Sequence, residues 1–531
     1  MASHDIRDVD DVKDIHYHEH DEAPSEIASA LAVGAKGGSK SADVAMKLFE
    51  NHDFNMDVDP AEQKKVIRKV DWFIIPMIGV NYVFFYIDKT TLSYAALYGI
   101  REDLNLTGSQ YSWLSSIFYF GFLAWAFPTN FLMQKFPLGK YLGINIIIWG
   151  VFLMLQAACS SFATLAVMRF LSGMAEACSD PAFMLITQMW YTRRQQPLRI
   201  GLWYLGNGFG IAVGGLLGYG IGHIHGSLPS WRYEFLIVGA LCTCWGIVIT
   251  IFMPDSPVTA KMLTDHEKRI TVIRLKDNQT GVENKHLKPY QVWEAFKDPK
   301  LYLFYVLGTV CNLPNGGISN FGTLIVRGIF DDKLLAAAMQ APYGAFIALS
   351  IGLCVWLNDR FPNNNRCKFV LLFLCPNIAG AFGLRFVPQS SHAGRYICYL
   401  LTGPYNAAFV LILSLQIANT AGHTKKVVTN AVLFLGYCTG NIAGPFFYLS
   451  DQAPYYELGI WSMIVSHLLE VCVICLFWFL LSRENKRRDR VQGHEGLTAE
   501  ELLEKRKREG YERTAFEDLT DRENLNFRYI Y

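Results

Sequence analysis

The chain has 531 residues, of which 51% are apolar, 14% aromatic and only 18% charged, against roughly a quarter charged in soluble domains. Its 48 basic and 47 acidic side chains nearly cancel, which removes the basic excess expected of a nucleic-acid partner. A mean hydropathy of +0.19 argues against an ordinary water-soluble enzyme.

Setting aside the polar stretches 1–68, 255–299 and 483–531 leaves about 370 mostly apolar residues, enough for twelve spans at about 20 residues each. Residues 1–68 read as a disordered cytosolic tail. They begin without the basic start and apolar run of a secretory signal. His16, His18 and His20 invite a metal reading, but an acidic segment without partner cysteines favours a solvated tail, so no metal and no cofactor are expected.

The first span, 71–98, carries Asp88 and Lys89. After it, Asn105-Leu106-Thr107 forms a glycosylation acceptor if it faces outward. The second and third spans are 111–134 and 139–158. The fourth, 163–189, holds Arg169, Glu176 and Asp180; at 100° per residue these fall within about 40° of one another on a continuous helix. A rise of 1.5 Å per residue places Asp88 about 15 Å, and Arg169 about 10 Å, from the outer ends of their spans. Ionisable groups at such depth are functional candidates by default. Lys89 and Arg169 supply positive charge for a carboxylate, while Asp88 and Glu176 can neutralise by protonation. The competing reading is a static ion-pair network. Asp180, beside Pro181, fits a structural role.

The fifth span, 199–224, has glycine at 206, 210, 214, 218 and 222; the eleventh, 428–449, has it at 436, 440 and 444. Both contain Gly-Asn-x-x-Gly, which places Asn207 and Asn441 at corresponding points of the two halves. Such stripes let helices approach closely. The sixth span is 232–253, and the charged loop 255–299 then divides the spans six and six. The expected architecture is an all-α membrane protein: twelve transmembrane helices in two pseudosymmetric six-helix bundles, 69–254 and 300–482, around a cavity.

In the seventh span, 301–326, Asn312-Leu313-Pro314-Asn315-Gly316-Gly317 predicts an unwound stretch at mid-membrane, tolerated only beside protein or a cavity. Asn312 and Asn315 are therefore candidate substrate contacts or hinge residues. The remaining spans are 335–357, 368–387, 396–419 and 457–481. Glu470 in the last of them matches no part of this pattern. The twelve cysteines behave as small apolar side chains, and Cys472-Val-Ile-Cys475 lacks a redox context. Most aromatic residues, among them Tyr82, Phe85, Tyr86, Tyr111, Trp113, Phe118, Tyr119, Trp203 and Tyr204, are expected to face lipid or the interfacial belts.

Lys135, Lys140, Arg193, Arg194, Arg199, Arg360, Arg366, Lys368, Lys425 and Lys426 cluster on one side, and the positive-inside rule puts that side, the central loop and both termini in the cytosol. Asn105 then faces outward, and Asn278-Gln279-Thr280 faces the cytosol and stays bare. There is no Gly-x-x-x-x-Gly-Lys-Ser/Thr loop, and neither His-Glu-x-x-His nor Gly-x-Ser-x-Gly occurs. An ATP motor, a membrane protease and a lipase are disfavoured, so an enzyme is not expected.

Several segments carry a family resemblance: Arg68-Lys69-Val70-Asp71, YIDKTTLSYAALYGI, TGSQYSWLSSIFYFGFLAWAFPTNFLMQKFPLGKYLG, Arg169-x-x-x-Gly173-x-x-Glu176, Pro254-Asp255-Ser256-Pro257 and the ending AFEDLTDRENLNFRYIY. Together they resemble the major facilitator superfamily, specifically the fungal allantoate permease branch of its anion:cation symporter family. The resemblance implies alternating access and proton-coupled import of a small organic anion such as allantoate, ureidosuccinate or a carboxylate vitamin. It implies substrate contact at Lys89, coupling at Arg169 and Glu176, and a plasma-membrane location; a monomer is expected. One departure stands out. The superfamily's Gly-x-x-x-Asp-Arg loop is replaced by Gln134-Lys135-Phe136-Pro137-Leu138-Gly139-Lys140, with an echo after the eighth span in Asp359-Arg360 and Arg366, which makes Asp359 and Arg360 candidate cytoplasmic gate residues. Competing functions are transport of a specialised metabolite in either direction and a nutrient receptor without transport.

Overall fold

A computed structural model describes residues 59–192, 195–276, 288–361, 365–493, 520–525 and 527–531. The His16–His20 cluster, Arg193, Arg194 and Asn278 lie outside them. Backbone groups in lipid must be satisfied within the chain, and all regular structure among the described residues is helical.

The first span, α1 (Pro60–Leu97), starts with proline at its first position and the Asp59 carboxylate accepting from the Ala61 amide, a strong initiation pair. A short α2 (Ile100–Asp103) precedes α3 (Gln110–Lys135) and α4 (Leu138–Gln156), the second and third spans. The fourth is α5 (Phe162–Glu176), capped by a Ser161–Thr164 capping box, followed by α6 (Ser179–Trp190). The fifth is α7 (Gln196–Tyr204) with α8 (Gly206–Gly222), and the sixth is α9 (Ser230–Phe252). The central loop contributes α10 (Asp265–Lys276) and α11 (Pro289–Phe296). The second half runs α12 (Pro299–Phe330), α13 (Lys333–Ala338) with α14 (Gln340–Arg360), α15 (Arg366–Phe386), α16 (His392–Leu401) with α17 (Tyr405–Ala418), α18 (His423–Ala443) and α19 (Glu457–Val491). Ten of these segments are long and apolar enough to cross a membrane. The interrupted fourth span and α12 complete the twelve.

The two halves repeat one packing rule. The fifth span lies along the first and the eleventh along the seventh, each through its glycine stripe. A Cβ on Gly210 would stand 2.6 Å from the Val83 carbonyl oxygen, and one on Gly440 2.4 Å from that of Thr309. Only hydrogen fits at either place. The halves are joined toward the face opposite the chain ends. Ser93 and Thr323 hydroxyls meet at 2.6 Å, Tyr111 donates to the Asn320 carbonyl at 2.7 Å, and Ser112 and Ser116 donate to the Pro445 and Ile442 carbonyls at 3.0 and 2.7 Å.

Three expectations change. The seventh span is not unwound at Pro314: α12 is continuous from Pro299 to Phe330. Proline removes one amide donor, but the Asn312 side-chain amide, two residues earlier, donates to the Gly308 carbonyl at 2.8 Å, and Gly316 seats the helix directly on the Asn441 backbone. The interruption instead falls in the fourth span, at Ala177–Cys178, between Glu176 and Asp180; Asp180 follows the break yet still acts electrostatically on Lys89 and Glu176. Finally, of the nine aromatic residues expected mainly at lipid, Trp113 is exposed and the other eight are buried. Several pack against one another inside the bundle, as Tyr82 does edge-on or tilted against Phe183, Trp203 and Tyr204 with centroids 5.0–5.9 Å away.

On the face that carries the chain ends, α10 attaches to the first half through Lys69–Glu267 at 2.7 Å and Arg274 donating to the Trp190 carbonyl. The second half is fastened there by residues 520–525 and 527–531. Lys425 Nζ lies 2.9 Å from carboxylate oxygens of Glu294, Asp298 and Asp521, and Lys300 also pairs with Asp521. Burial pushes the Asp521 carboxyl up, but the two ammonium groups outweigh it and hold the group down to about 2. Asn485 and Asn419 bind the backbones of Tyr529 and Ile530 in two-way amide pairs. All twelve cysteines are free.

Candidate functional site

Asp88 and Lys89 are adjacent, so on a helix their side chains diverge by about 100°. Asp88 turns into the first half, where it is completely buried and its Oδ2 accepts from the Trp149 indole at 2.8 Å. Lys89 turns to the seam between halves, where its ammonium donates to the Tyr437 hydroxyl of the eleventh span at 2.8 Å. It also sits 3.9 Å from the Phe85 ring centroid and 4.9 Å from that of Tyr86, a cation–π setting that partly replaces lost hydration.

The fourth span delivers Arg169 from the other side. Its Nη1 is 3.8 Å from Asp88 Oδ1, beyond hydrogen-bond range, while Nε donates to the Leu114 carbonyl at 3.3 Å and the guanidinium lies over Phe118. Seven residues on, Glu176 is 1% exposed and neither carboxyl oxygen has a hydrogen-bond partner. Asp88 Oδ1 and Arg169 Nη1 also lack one. Lys89, Asp88, Asp180 and Arg169 all act electrostatically on Glu176 in this low-dielectric region. A cavity of about 10 Å³, lined by Asp88, Lys89, Ser115, Phe118, Tyr119, Arg169 and Asn320, has the space of one water. A small organic acid would enter only if the halves move apart.

The candidate amides behave differently. Asn207 Nδ2 crosses the seam to donate to Asn406 Oδ1 at 2.8 Å. Asn315 and Asn441 pair with each other at 2.8 Å, with Tyr405 donating to Asn315 at 2.8 Å. Asn312 is tied to its own helix. Thus Asp88, Lys89, Arg169 and Glu176 come together, whereas Asn312, Asn315 and Asn441 form packing within the second half. Asp359 and Arg360 end α14, both exposed, with no ion pair to either among the described residues. At the corresponding loop of the first half, the Lys140 amide donates to Asp255 at 3.2 Å. Asn105 is exposed in a left-handed turn.

Trp149, Tyr437 and Asn320 belong to the site but stood out in no motif, and Ser115 went unremarked within the segment TGSQYSWLSSIFYF. Asn320 alone had a readable signal, lying one turn past Gly316-Gly317 as another amide in an apolar span. Tyr437 adjoins the glycine stripe, yet its reach across to Lys89 depends on how the halves dock.

A family model described as Major Facilitator Superfamily matches residues 78–445. An uncharacterized transporter of Schizosaccharomyces pombe is 38% identical over 92% of this chain and 90% of its own length. The allantoate permease of Saccharomyces cerevisiae is 32% identical over 92% and 90%, and a thiamine pathway transporter of the same yeast is 33% identical over 88% and 86%. Among solved structures, a bacterial homolog of the human lysosomal transporter Spinster, inward-facing and occupied, aligns with a TM-score of 0.57 at 15% identity, covering 77% of this chain and 96% of that one. The chain belongs to the Major Facilitator Superfamily and is a multi-pass membrane transporter, not an enzyme.

Proposed function

We propose that this Major Facilitator Superfamily transporter is a proton symporter that imports a small organic anion, of the allantoate, ureidosuccinate or carboxylate-vitamin kind, across the plasma membrane with both termini in the cytosol. The likeness to the yeast allantoate permease over nearly the whole chain supports the substrate class. The observation that carries the coupling is Glu176, buried with both oxygens unpartnered, in one cluster with the loosely paired Asp88 and Arg169 and the seam-facing Lys89.

Lys89, helped by Arg169, draws a carboxylate to the seam and exchanges its Tyr437 partner for it. Asp88 and Glu176 share the uptake of one proton per anion, so that Lys89 and Arg169 are balanced by one remaining carboxylate and the bound anion. A buried charge left unpaired costs about 3–5 kcal/mol, enough to disfavour rocking of a half-loaded site. Asn207 adds an amide at the seam. Asn312, Asn315 and Asn441 shape the opposite wall. Asp359 and Arg360 act on the cytoplasmic gate in a state other than this one, Asn105 carries glycan outside, and the functional unit is a monomer.

The test is uptake of a panel of radiolabelled acids into vesicles holding the full chain. An inward proton gradient should drive one acid above equilibrium, and Glu176→Gln should abolish accumulation while leaving exchange of that acid across the membrane. Accumulation indifferent to the gradient, or to Glu176→Gln, would overturn the reading.

A further inference from the structure

The helix α11 closes the polar central loop, yet three of its eight residues are aromatic. At 100° per residue, Tyr290, Trp293 and Phe296 span about 120° of one side, and Gln291 and Ala295 point about 180° away from its middle. The two faces have opposite fates. Gln291 and Ala295 are fully buried, whereas Tyr290, Trp293 and Phe296 are 48%, 69% and 46% exposed.

The buried face fixes the height of the helix. Gln291 Oε1 accepts from the Thr424 and Lys425 amides at 3.1 and 3.4 Å, and Glu294 meets the Lys425 ammonium at 2.9 Å. Thr424 and Lys425 open the eleventh span. Only Lys297 and Asp298 separate α11 from Pro299, where the seventh begins. The helix is therefore held where two spans start, at the level at which the apolar bundle leaves the bilayer.

The exposed face continues a lipid-facing surface. From α12 the Tyr302 hydroxyl donates to the Phe296 carbonyl at 2.9 Å, and Tyr302 and Val306, one turn apart, are both exposed on that span. The neighbouring carboxylates Glu294 and Asp298 are turned to Lys425. Lys297 and Arg522 are exposed at the end of the patch, where Arg522 donates to the Lys297 carbonyl at 3.4 Å. Clustered exposed aromatics mark a contact surface. Indole and phenol favour the water–lipid boundary, where the ring is apolar and the N–H or O–H stays wet, and basic side chains there suit lipid phosphates.

We propose that α11 is an interfacial helix: its Tyr290, Trp293 and Phe296 face lies among the phospholipid headgroups of the leaflet on the side of the chain ends, with Lys297 at a lipid phosphate. The occupant is the bilayer rather than a soluble protein, because the face runs through Tyr302 into the lipid-facing side of α12. This assignment concerns how the second half is anchored and stands apart from the roles of Asp88, Lys89 and Glu176.

Interfacial helices sink their apolar face about 5–10 Å into the boundary of headgroups and acyl chains. The test therefore places the full chain in nanodiscs of phosphatidylcholine brominated high on its acyl chains, and reads the Trp293 emission as wild type minus Trp293→Phe. Bromine should remove most of that emission relative to unbrominated lipid, and Lys297→Glu, which sets a carboxylate against the phosphates, should weaken the loss. Difference emission untouched by bromine overturns the proposal: quenching by aqueous iodide then puts the face in water, and quenching by neither puts it against protein. A loss of the same size in Lys297→Glu overturns the phosphate contact. Should Trp293→Phe fail to fold, Trp293→Tyr supplies the same subtraction. Since no transport is measured, failure of proton-driven uptake would leave this result untouched.

Discussion

Two clusters of buried lysine, arginine and carboxylate groups differ in one respect that separates their roles. At the end of the second half, Lys300 and Lys425 are held by Asp298, Asp521 and Glu294, with Lys425 making three contacts of 2.9 Å. At the centre of the first half, the Arg169–Asp88 pair stands at 3.8 Å and Glu176 touches no donor. Both exclude water. Tight pairing fastens one arrangement, whereas loose pairing leaves charge for a visiting group to complete.

The sharpest way to break this contrast is Asp521→Ala, which strips the shared partner from two buried lysines. It should cost about 3–5 kcal/mol of stability, read as a large fall in the unfolding temperature of the purified protein, with uptake per folded molecule retained. Lys89→Met should do the reverse, lowering uptake of the transported acid about a hundredfold, or some 2.7 kcal/mol, with little change in unfolding temperature. If both variants lost stability alike, the contrast would be gone.

Acid sharpens it further. The Asp521 carboxyl is held down to about 2 in the folded protein, below an unfolded value of about 3.9. A depressed value means stability that is fully present above about pH 4 and lost as pH falls toward 2, on the order of 2–3 kcal/mol. Unfolding followed from about pH 5 to about pH 2 should show this loss, and Asp521→Asn should remove the pH-dependent part.

Smaller effects test the shared scaffold. Gly440→Ala meets the Thr309 carbonyl at 2.4 Å, whereas a Cβ at Gly214 meets nothing nearer than 3.3 Å. The first should cost about 1–3 kcal/mol and Gly214→Ala clearly less, compared by thermal unfolding. Smallest of all, Asp359→Ala removes an exposed side chain and should shift stability by no more than about 0.5 kcal/mol. A selective slowing of transport by that variant would mark the gate state in which Asp359 finds a partner.

Much of the molecule was legible in the chain. Apolar length sets the number of spans because lipid leaves a helix as the only way to pair the backbone. The glycine stripes announced both close helix pairs, and Asp88, Lys89, Arg169 and Glu176 were conspicuous because charge is rare in such segments. Pro314 misled because a breaker is judged by its own missing donor, while its continuity rests on Gly308, Gly316 and the eleventh span packed against them. The aromatic residues misled because ring type does not say which face of a span meets lipid.

By itself the sequence determined the all-helical scaffold and which charges stand inside apolar segments, since both follow from local pattern and the chemistry of the bilayer. Only the tertiary structure decided which partner each charge meets. Lys89 reaching Tyr437 across the seam, His467 and Glu470 enclosed beside Cys311, and Asp521 returning to Lys300 and Lys425 join residues distant in the chain. Side-chain pairing at 3 Å is a property of how helices dock, and no single helix encodes it.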